Sequence, residues 1–326
     1  MELSVRQYSK IDPEHYSLFR ATWAPHVDRG QGKMLDPDQL RRFYEENPAG
    51  PAVLAVATEG AQWQGAIAGI PTLLDDVDGT VTRAYQIGDF MVHPEAQGKG
   101  LGRKLLDALS RELKAMEDPV YTFPNRRSIG LFFRLGYTEV RRLDLLGYST
   151  HLLRSLSGRR ARHIETDRLS LSEACEFADT LGKASGSAQR RGRHKDGGFI
   201  DWRYARVRTA TDYRFLGIRD RERDGGAILV WTPFKYRGVT VQVIVDSVSW
   251  SGETSLVGIA AADAVREGVA AGICNLDRGQ RRPVGAVTVP KRLDPRPGRL
   301  LVPGEDPVSM SLAQQATFTT GDWMGF

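Results

Sequence analysis

Apolar residues in the first half of the chain fall into short runs parted by turn signals, and their spacing changes period in a fixed order. Asp36-Pro37-Asp38 predicts the start of a helix that runs to about Glu46, because aspartate accepts from free N–H groups and proline suits a first turn. The runs PAVLAVATEG and AQWQGAIAGIPTLL read as two strands, with Glu-Gly between them as the turn of an antiparallel pair. YQIGDFMVHP is a third strand. From Gly100 to Glu117 the period becomes helical, and Leu101, Leu105, Leu106, Leu109, Leu113 and Met116 share one face. VYTF follows as a short strand, and a short helix from Ser128 to Leu135 stops at Gly136.

The second half repeats that order. DYRFLGIRD and GGAILVWTPF form a strand pair, VTVQVIVDSVSW a long strand, Ser255 to Ala271 a helix and ICNL a short strand. Laid over the first half, YQIGDFMV matches VQVIVDSV and brings Asp89 within one position of Asp246, a tandem pseudo-repeat. Gly, Ser and Arg gather in SLSGRRARH at 155–163, which sets the boundary between two expected domains, 1–154 and 164–326. The expected fold class is α/β (an α+β mixed sheet), two lobes each built on a mixed, mainly antiparallel sheet flanked by helices. Gly182 to Gly198 reads as a mobile loop, and PKRLDPRPGR and LVPGEDP as extended or turning segments.

Composition narrows this a little. Hydrophobic residues at 41% and charged residues at 26% are globular values and exclude a wholly disordered chain. No apolar run reaches the roughly 18 residues of a membrane span. MELSVRQYSKIDPEHY lacks the apolar stretch of a secretory signal, so the expected location is cytoplasmic, with no membrane partner. Two cysteines, Cys175 and Cys274, are too few for a disulfide framework. The histidines at 15, 26, 93, 151, 163 and 194 lack ligand spacing, so no metal is expected. Arginine supplies 36 of the 45 basic residues, and its planar fork suits phosphate and carboxylate, which favours an anionic ligand. RRGRHK at 190–195 has no interleaved aromatic residue to stack bases, so nucleic acid is not expected. Monomer and homodimer both stay open.

The chemistry concentrates in Asp89 to Arg103, DFMVHPEAQGKGLGR. A strand ends at Pro94, a glycine-bearing loop follows, and the amphipathic helix begins. Amides at a helix entry lack carbonyl partners, and the helix dipole adds partial positive charge there. Glycines at 98, 100 and 102 let the backbone approach a bulky anion, while Lys99 and Arg103 add countercharge. Together these predict a phosphate or pyrophosphate cradle. The order of residues fits neither a P-loop nor the Gly-x-Gly-x-x-Gly dinucleotide fingerprint.

The segment resembles the acetyl-CoA signature of the GNAT superfamily of N-acetyltransferases, V-x-P followed by Q/R-x-x-G-x-G/A. Here these are Val92-His93-Pro94 and Gln97-Gly98-Lys99-Gly100-Leu101-Gly102. Pro124-Asn125 and Leu131-Phe-Phe-Arg-Leu-Gly-Tyr137 resemble the family's second motif, and the likeness covers about residues 50–140. The resemblance implies a fourth strand that splays from the fifth around a bulge, with pantetheine in the gap. It implies backbone contacts from Met91, Val92 and His93, a pyrophosphate held by the amides of Gly98, Lys99, Gly100, Leu101, Gly102 and Arg103, and further cofactor contacts from Gln97, Asn125 and Phe132. The activity implied is acetyl transfer from acetyl-CoA to the primary amine of a small acceptor by direct attack. Asp89 is the candidate base.

Two positions depart from the family pattern. Gln86 stands where members can carry an acidic base, and Phe132 stands where a tyrosine proton donor is frequent, leaving Tyr85, Tyr121 or Tyr137 as substitutes. PheIleAspTrpArgTyr at 199–204 resembles an F-x-x-W-R-Y element of two-lobed GNAT proteins, and SWSGETSLVG in the second half lacks the cradle pattern. The expected whole is therefore a tandem GNAT protein whose degenerate C-terminal lobe shapes the acceptor site. Two alternatives are a non-catalytic acyl-CoA-binding module and a magnesium-dependent phosphatase using Asp76, because Asp76-Val-Asp-Gly-Thr80 matches a DxDGT nucleophile loop. The same Asp-Gly also reads as a hairpin turn.

Overall fold

The computed structural model describes the chain apart from residues 9, 11, 28–36, 77–79, 158–163, 185–191, 206–212, 221–224, 237, 250–255, 278–281, 291–297, 317 and 319–326. In chain order the first half holds β1 (Glu2–Gln7), α1 (Pro13–Val27), α2 (Pro37–Glu45), β2 (Val53–Glu59), β3 (Gln62–Asp75) and β4 (Val81–Val92). It continues with α3 (Leu101–Ala115), β5 (Val120–Thr122), α4 (Ile129–Arg134), β6 (Tyr137–Ser149) and α5 (Thr150–Ser157). The second half begins with β7 (Ile164–Leu169), α6 (Leu171–Ala184), β8 (Gly192–Arg193), α7 (Gly197–Tyr204), β9 (Arg214–Asp220), β10 (Gly225–Tyr236) and β11 (Val239–Ser249). It ends with α8 (Leu256–Arg266), β12 (Ala271–Asp277), β13 (Val287–Thr288), β14 (Gly298–Pro303) and α9 (Pro307–Gln315).

All described strands join one sheet, in the order β1-β2-β3-β4-β5-β14-β6-β12-β11-β10-β9-β7, with β13 on β6 and β8 on β3. The sheet is thus continuous across both halves and does not divide into two discrete lobes. The two halves nevertheless run the same course. In each, three antiparallel strands lead through a helix into a strand parallel to the last, β4 to β5 through α3 and β11 to β12 through α8. Each long strand also carries one extra residue at the same place, after Gly88 in β4 and after Ile244 in β11.

Strand β2 reads as an unbroken apolar run because both of its faces are covered. Val53, Ala55 and Ala57 pack under Leu105, Leu106, Leu109 and Leu113 of α3. Leu54 and Val56 pack under Leu18 and Phe19 of α1 and Leu40 and Tyr44 of α2. The second half has the same layering: α6 and α7 cover Ile228 and Val230 on one face, and α8 covers Leu229 and Trp231 on the other.

The predicted helix at Ser255–Ala271 is described from Leu256, Ser255 lying outside the described set, and it ends early. It stops at Arg266 because Gly268 turns back with φ +73° and Ala271 already pairs in β12. The expected loop 182–198 contains the end of α6. Its described residues 192–198 are fixed: β8 pairs with β3, and the amide of His194 donates to the Leu73 carbonyl at 2.8 Å. The expected boundary at 155–163 falls partly within α5, and residues 158–163 lie outside the described set.

Candidate active site

The cradle is a helix entry with its donors turned outward. A single 3-10 turn at Pro94–Ala96 links β4 to the loop, and Gly100 caps α3 in the left-handed region at φ +75°. Gly98 has φ +77°. A Cβ at either position would meet nothing within 4 Å, so these glycines serve the backbone path and leave open space beside it. Gly102 serves close packing, because a Cβ there would lie 2.7 Å from the Phe90 ring. Among the described residues the amides of Gly98, Lys99, Gly100, Leu101 and Gly102 donate no backbone hydrogen bond, while that of Arg103 reaches the Gly100 carbonyl at 3.2 Å. Lys99 and Arg103 are exposed alongside. This arrangement fits a pyrophosphate.

Strand β4 offers the gap. Among the described residues it pairs with β5 only through Tyr85–Val120, Gln86–Tyr121 and Ile87–Thr122, and from Gly88 onward its far edge has no described strand beside it. An extended amide-bearing chain can add along such an edge. Of the backbone groups expected there, the His93 amide is held by the Gln64 carbonyl at 2.9 Å, and the Val92 carbonyl accepts from Gln97 Nε2 at 3.1 Å. Met91 is buried. His93 Nδ1 is buried and has no hydrogen-bond partner.

Other expected site residues have additional or different places. Asn125 Oδ1 accepts from the amides of Arg127 and Ser128 at 2.9 and 3.0 Å and so opens α4. Phe132 is only 2% exposed and packs edge-on against Tyr137 at 5.1 Å, inside the core. Tyr85, Tyr121 and Tyr137 are buried as well. Burial pushes the Tyr137 hydroxyl up to about 12, although its bond with Ser110 at 3.0 Å works against the rise. Tyr121 meets Thr72 at 3.3 Å.

Asp89 sits at the bulge, with φ +45°. Positive φ is uncommon for a residue with a Cβ, and such bulges gather beside active sites. Tyr44 of α2 donates its hydroxyl to Asp89 Oδ2. Burial raises the Asp89 carboxyl above the usual range, while the Tyr44 bond and the Arg203 charge oppose that rise. Arg203 comes from α7, and its guanidinium lies 5.6 Å from the centre of the Phe43 ring. Two helices from opposite halves therefore meet at this carboxyl. Phe43 stacks on Trp202 at 5.2 Å, Trp202 Nε1 donates to the Arg42 carbonyl at 3.0 Å, and Arg42 pairs with Asp201. Neither Tyr44 nor Arg203 is among the sequence candidates. Tyr44 carries no local signal beyond its place on an amphipathic helix, and Arg203 lies within the aromatic cluster at 199–204.

The Asp76 loop is a hairpin. Strands β3 and β4 pair antiparallel up to Asp75–Val81, and the Asp76 amide bonds to the Thr80 carbonyl at 2.8 Å. The flanking strands thus agree with the hairpin reading of the Asp-Gly pair, and residues 77–79 lie outside the described set. Among the described residues no group of three or more His, Cys, Asp or Glu could hold a metal ion, and no helix is long and apolar enough to cross a membrane.

Residues 15–137 match the family model described as Acetyltransferase (GNAT) family. No curated protein matches the chain. Among solved structures, a GCN5-related N-acetyltransferase from Anabaena variabilis is similar at TM-score 0.64 and 12% identity, covering 91% of this chain and 72% of that one. A conserved protein from Enterococcus faecalis described as a probable N-acyltransferase matches at TM-score 0.65 and 12% identity, over 93% and 73% of the two chains. Eis1 from Mycobacterium abscessus matches at TM-score 0.57 and 12% identity, over 96% and 76%. At such identities the likeness is one of fold.

Proposed function

We propose that this chain, a GNAT-type acyltransferase by its family match and fold, moves acetyl from acetyl-CoA to the primary amine of a small acceptor by direct attack. The observation that carries the reading is the coincidence of three features at the end of β4: the open strand edge, the outward amides at 98–102, and a half-buried carboxyl on the bulge between them. Acetyl-CoA supplies the activated thioester. Residues 98–103 hold its phosphates, and β4 orients the pantetheine through Val92. An amide at the open edge of β4 supports the oxyanion that forms on the thioester carbonyl. Asp89 takes a proton from the acceptor ammonium, the neutral amine attacks to form the C–N bond and the oxyanion, and the C–S bond breaks as that oxyanion collapses; the acylated nitrogen releases its extra proton to solvent, which protonates the departing thiolate.

The second half is read as a GNAT-like lobe without a cradle of its own, on the shared strand course and the matching bulges. Its α7 supplies one wall of the acceptor site. Arg203 in that wall favours an acceptor bearing carboxylate or phosphate, and equal rates with neutral amines of the same size would remove that preference.

Calorimetry with acetyl-CoA tests the site directly. Gly100→Glu puts bulk and negative charge in the open space of the cradle and is expected to weaken binding by about 100-fold or more, roughly 2.7 kcal/mol. Wild-type protein that is folded and binds no acetyl-CoA would overturn the proposal. A second reading, a non-catalytic acyl-CoA module, draws on the burial of Phe132, Tyr85, Tyr121 and Tyr137, the positions considered for a proton donor. It predicts binding without thiol release on any amine.

A further inference from the structure

The Asp89 carboxyl has a counterpart in the second half, and the two differ in one respect. Tyr204 at the end of α7 donates to Asp246 Oδ2 at 2.5 Å, as Tyr44 near the end of α2 donates to Asp89 Oδ2. Each tyrosine lies on the helix before the first of the three consecutive antiparallel strands of its half, β2 or β9, and each aspartate lies at the extra residue of a long strand or next to it. At Asp246 the other oxygen is also taken, by Lys195 Nζ at 2.6 Å, and the carboxylate is fully buried. At Asp89, among the described residues, Tyr44 is the one hydrogen-bond donor, and the residue is partly exposed.

We infer that Tyr44 is a positioning residue of the transferase site, anchoring Oδ2 of Asp89 so that Oδ1 is presented to the acceptor amine, whereas the Tyr204–Asp246–Lys195 cluster is its structural counterpart. The inference rests on the reading of Asp89 as the base. Tyr44 is fully buried, and burial together with the Asp89 charge pushes its hydroxyl well above the ordinary phenol range, so it stays a donor. Behind it lie Tyr8 and His15, with ring centroids 5.2 and 5.1 Å away; burial lowers His15 to about 4 and keeps it neutral. Asp89 therefore faces one fixed donor from α2 and one cation, Arg203, from α7. A strained φ at Asp89 and a bonded carboxyl oxygen fix both ends of the side chain, which is the condition for a base to meet its substrate in one geometry.

The test is a carboxyl titration by carbon NMR on protein labelled at the aspartate side-chain carbonyl, with the signal absent from Asp89→Asn taken as that of Asp89. Alongside it, acetyl-CoA turnover is followed by thiol release with ethanolamine and glucosamine as acceptors. Tyr44→Phe removes a hydrogen bond to the charged form, so the Asp89 midpoint is expected to rise by about one unit, a tenfold change. The acid limb of kcat/KM moves with it, and acetyl-CoA affinity stays put. Tyr204→Phe lowers Tm and leaves the Asp89 midpoint where it is. A folded Tyr44→Phe protein with an unmoved midpoint and an unmoved acid limb overturns the inference. Should Tyr44→Phe fail to fold, 3-fluorotyrosine at position 44 strengthens the donor and must lower the midpoint; no movement overturns the inference equally. Asp89→Asn with full turnover would instead overturn the base reading itself, whatever Tyr44 does.

Discussion

At the residue scale, one aromatic and one histidine show how burial and pairing set behaviour. Phe132 lies inside the core of the first half, in one cluster with Leu105, Leu109 and Tyr137, so a hydroxyl added there enters apolar surroundings. Phe132→Tyr is expected to cost about 1–3 kcal/mol in urea unfolding, the penalty of a buried polar group lacking a partner, with no gain in kcat. His194 is bonded through Nδ1 to Asp75 at 2.6 Å and through Nε2 to Asp196 at 3.5 Å. The Asp196 and Asp75 bonds raise it from 6.5 to about 10. A folded value above the unfolded one stabilises the fold fully below about pH 6.5 and loses that contribution as pH rises through 10. The difference in Tm between wild type and His194→Gln should therefore shrink from pH 7 to pH 10.

At the scale of elements, α2 and α7 act as a clasp. The Phe43–Trp202 stack, the Trp202 bond to the Arg42 carbonyl and the Arg42 contacts with Asp201 and the Trp202 carbonyl all lie at this one crossing. Arg193 adds its charge 5.7 Å from the centre of the Trp202 ring. Trp202→Ala removes an aromatic side chain that is 5% exposed, and a loss of about 3–5 kcal/mol is expected in chemical denaturation. Because the cradle belongs to α3 and β4, acetyl-CoA affinity should survive while acceptor KM rises. A proportional loss of both would place Trp202 in general stability alone.

At the scale of the molecule, the halves exchange strands. β14, from the end of the chain, lies between β5 and β6, and β6 in turn pairs with β12. Every neighbour of β6 thus comes from beyond residue 164. Leu300, Leu301 and Val302 of β14 are almost wholly buried by this insertion. A fragment of residues 1–154 would expose both edges of β6 and one of β5, which invites aggregation. Expressed alone it should show no cooperative thermal transition, and co-expression with residues 164–326 should restore one. Independent folding of either fragment would show that the continuous sheet is dispensable.

What the sequence determined is what local physics can encode. The leucine spacing of α3 required one buried face, the Glu59-Gly60 turn required the β2–β3 pair, and the glycines at 98 and 100 required a backbone path few other residues adopt. These follow from period, turn residues and φ, each read within a window of a few residues. The hydroxyl of Tyr44 reaches a carboxyl 45 residues on, Arg203 approaches it from the other half, and β14 enters beside a strand formed far earlier. Those contacts depend on which strands find edges and which helices cover them. That choice is made by burial summed over the whole chain, and only the tertiary structure decided it.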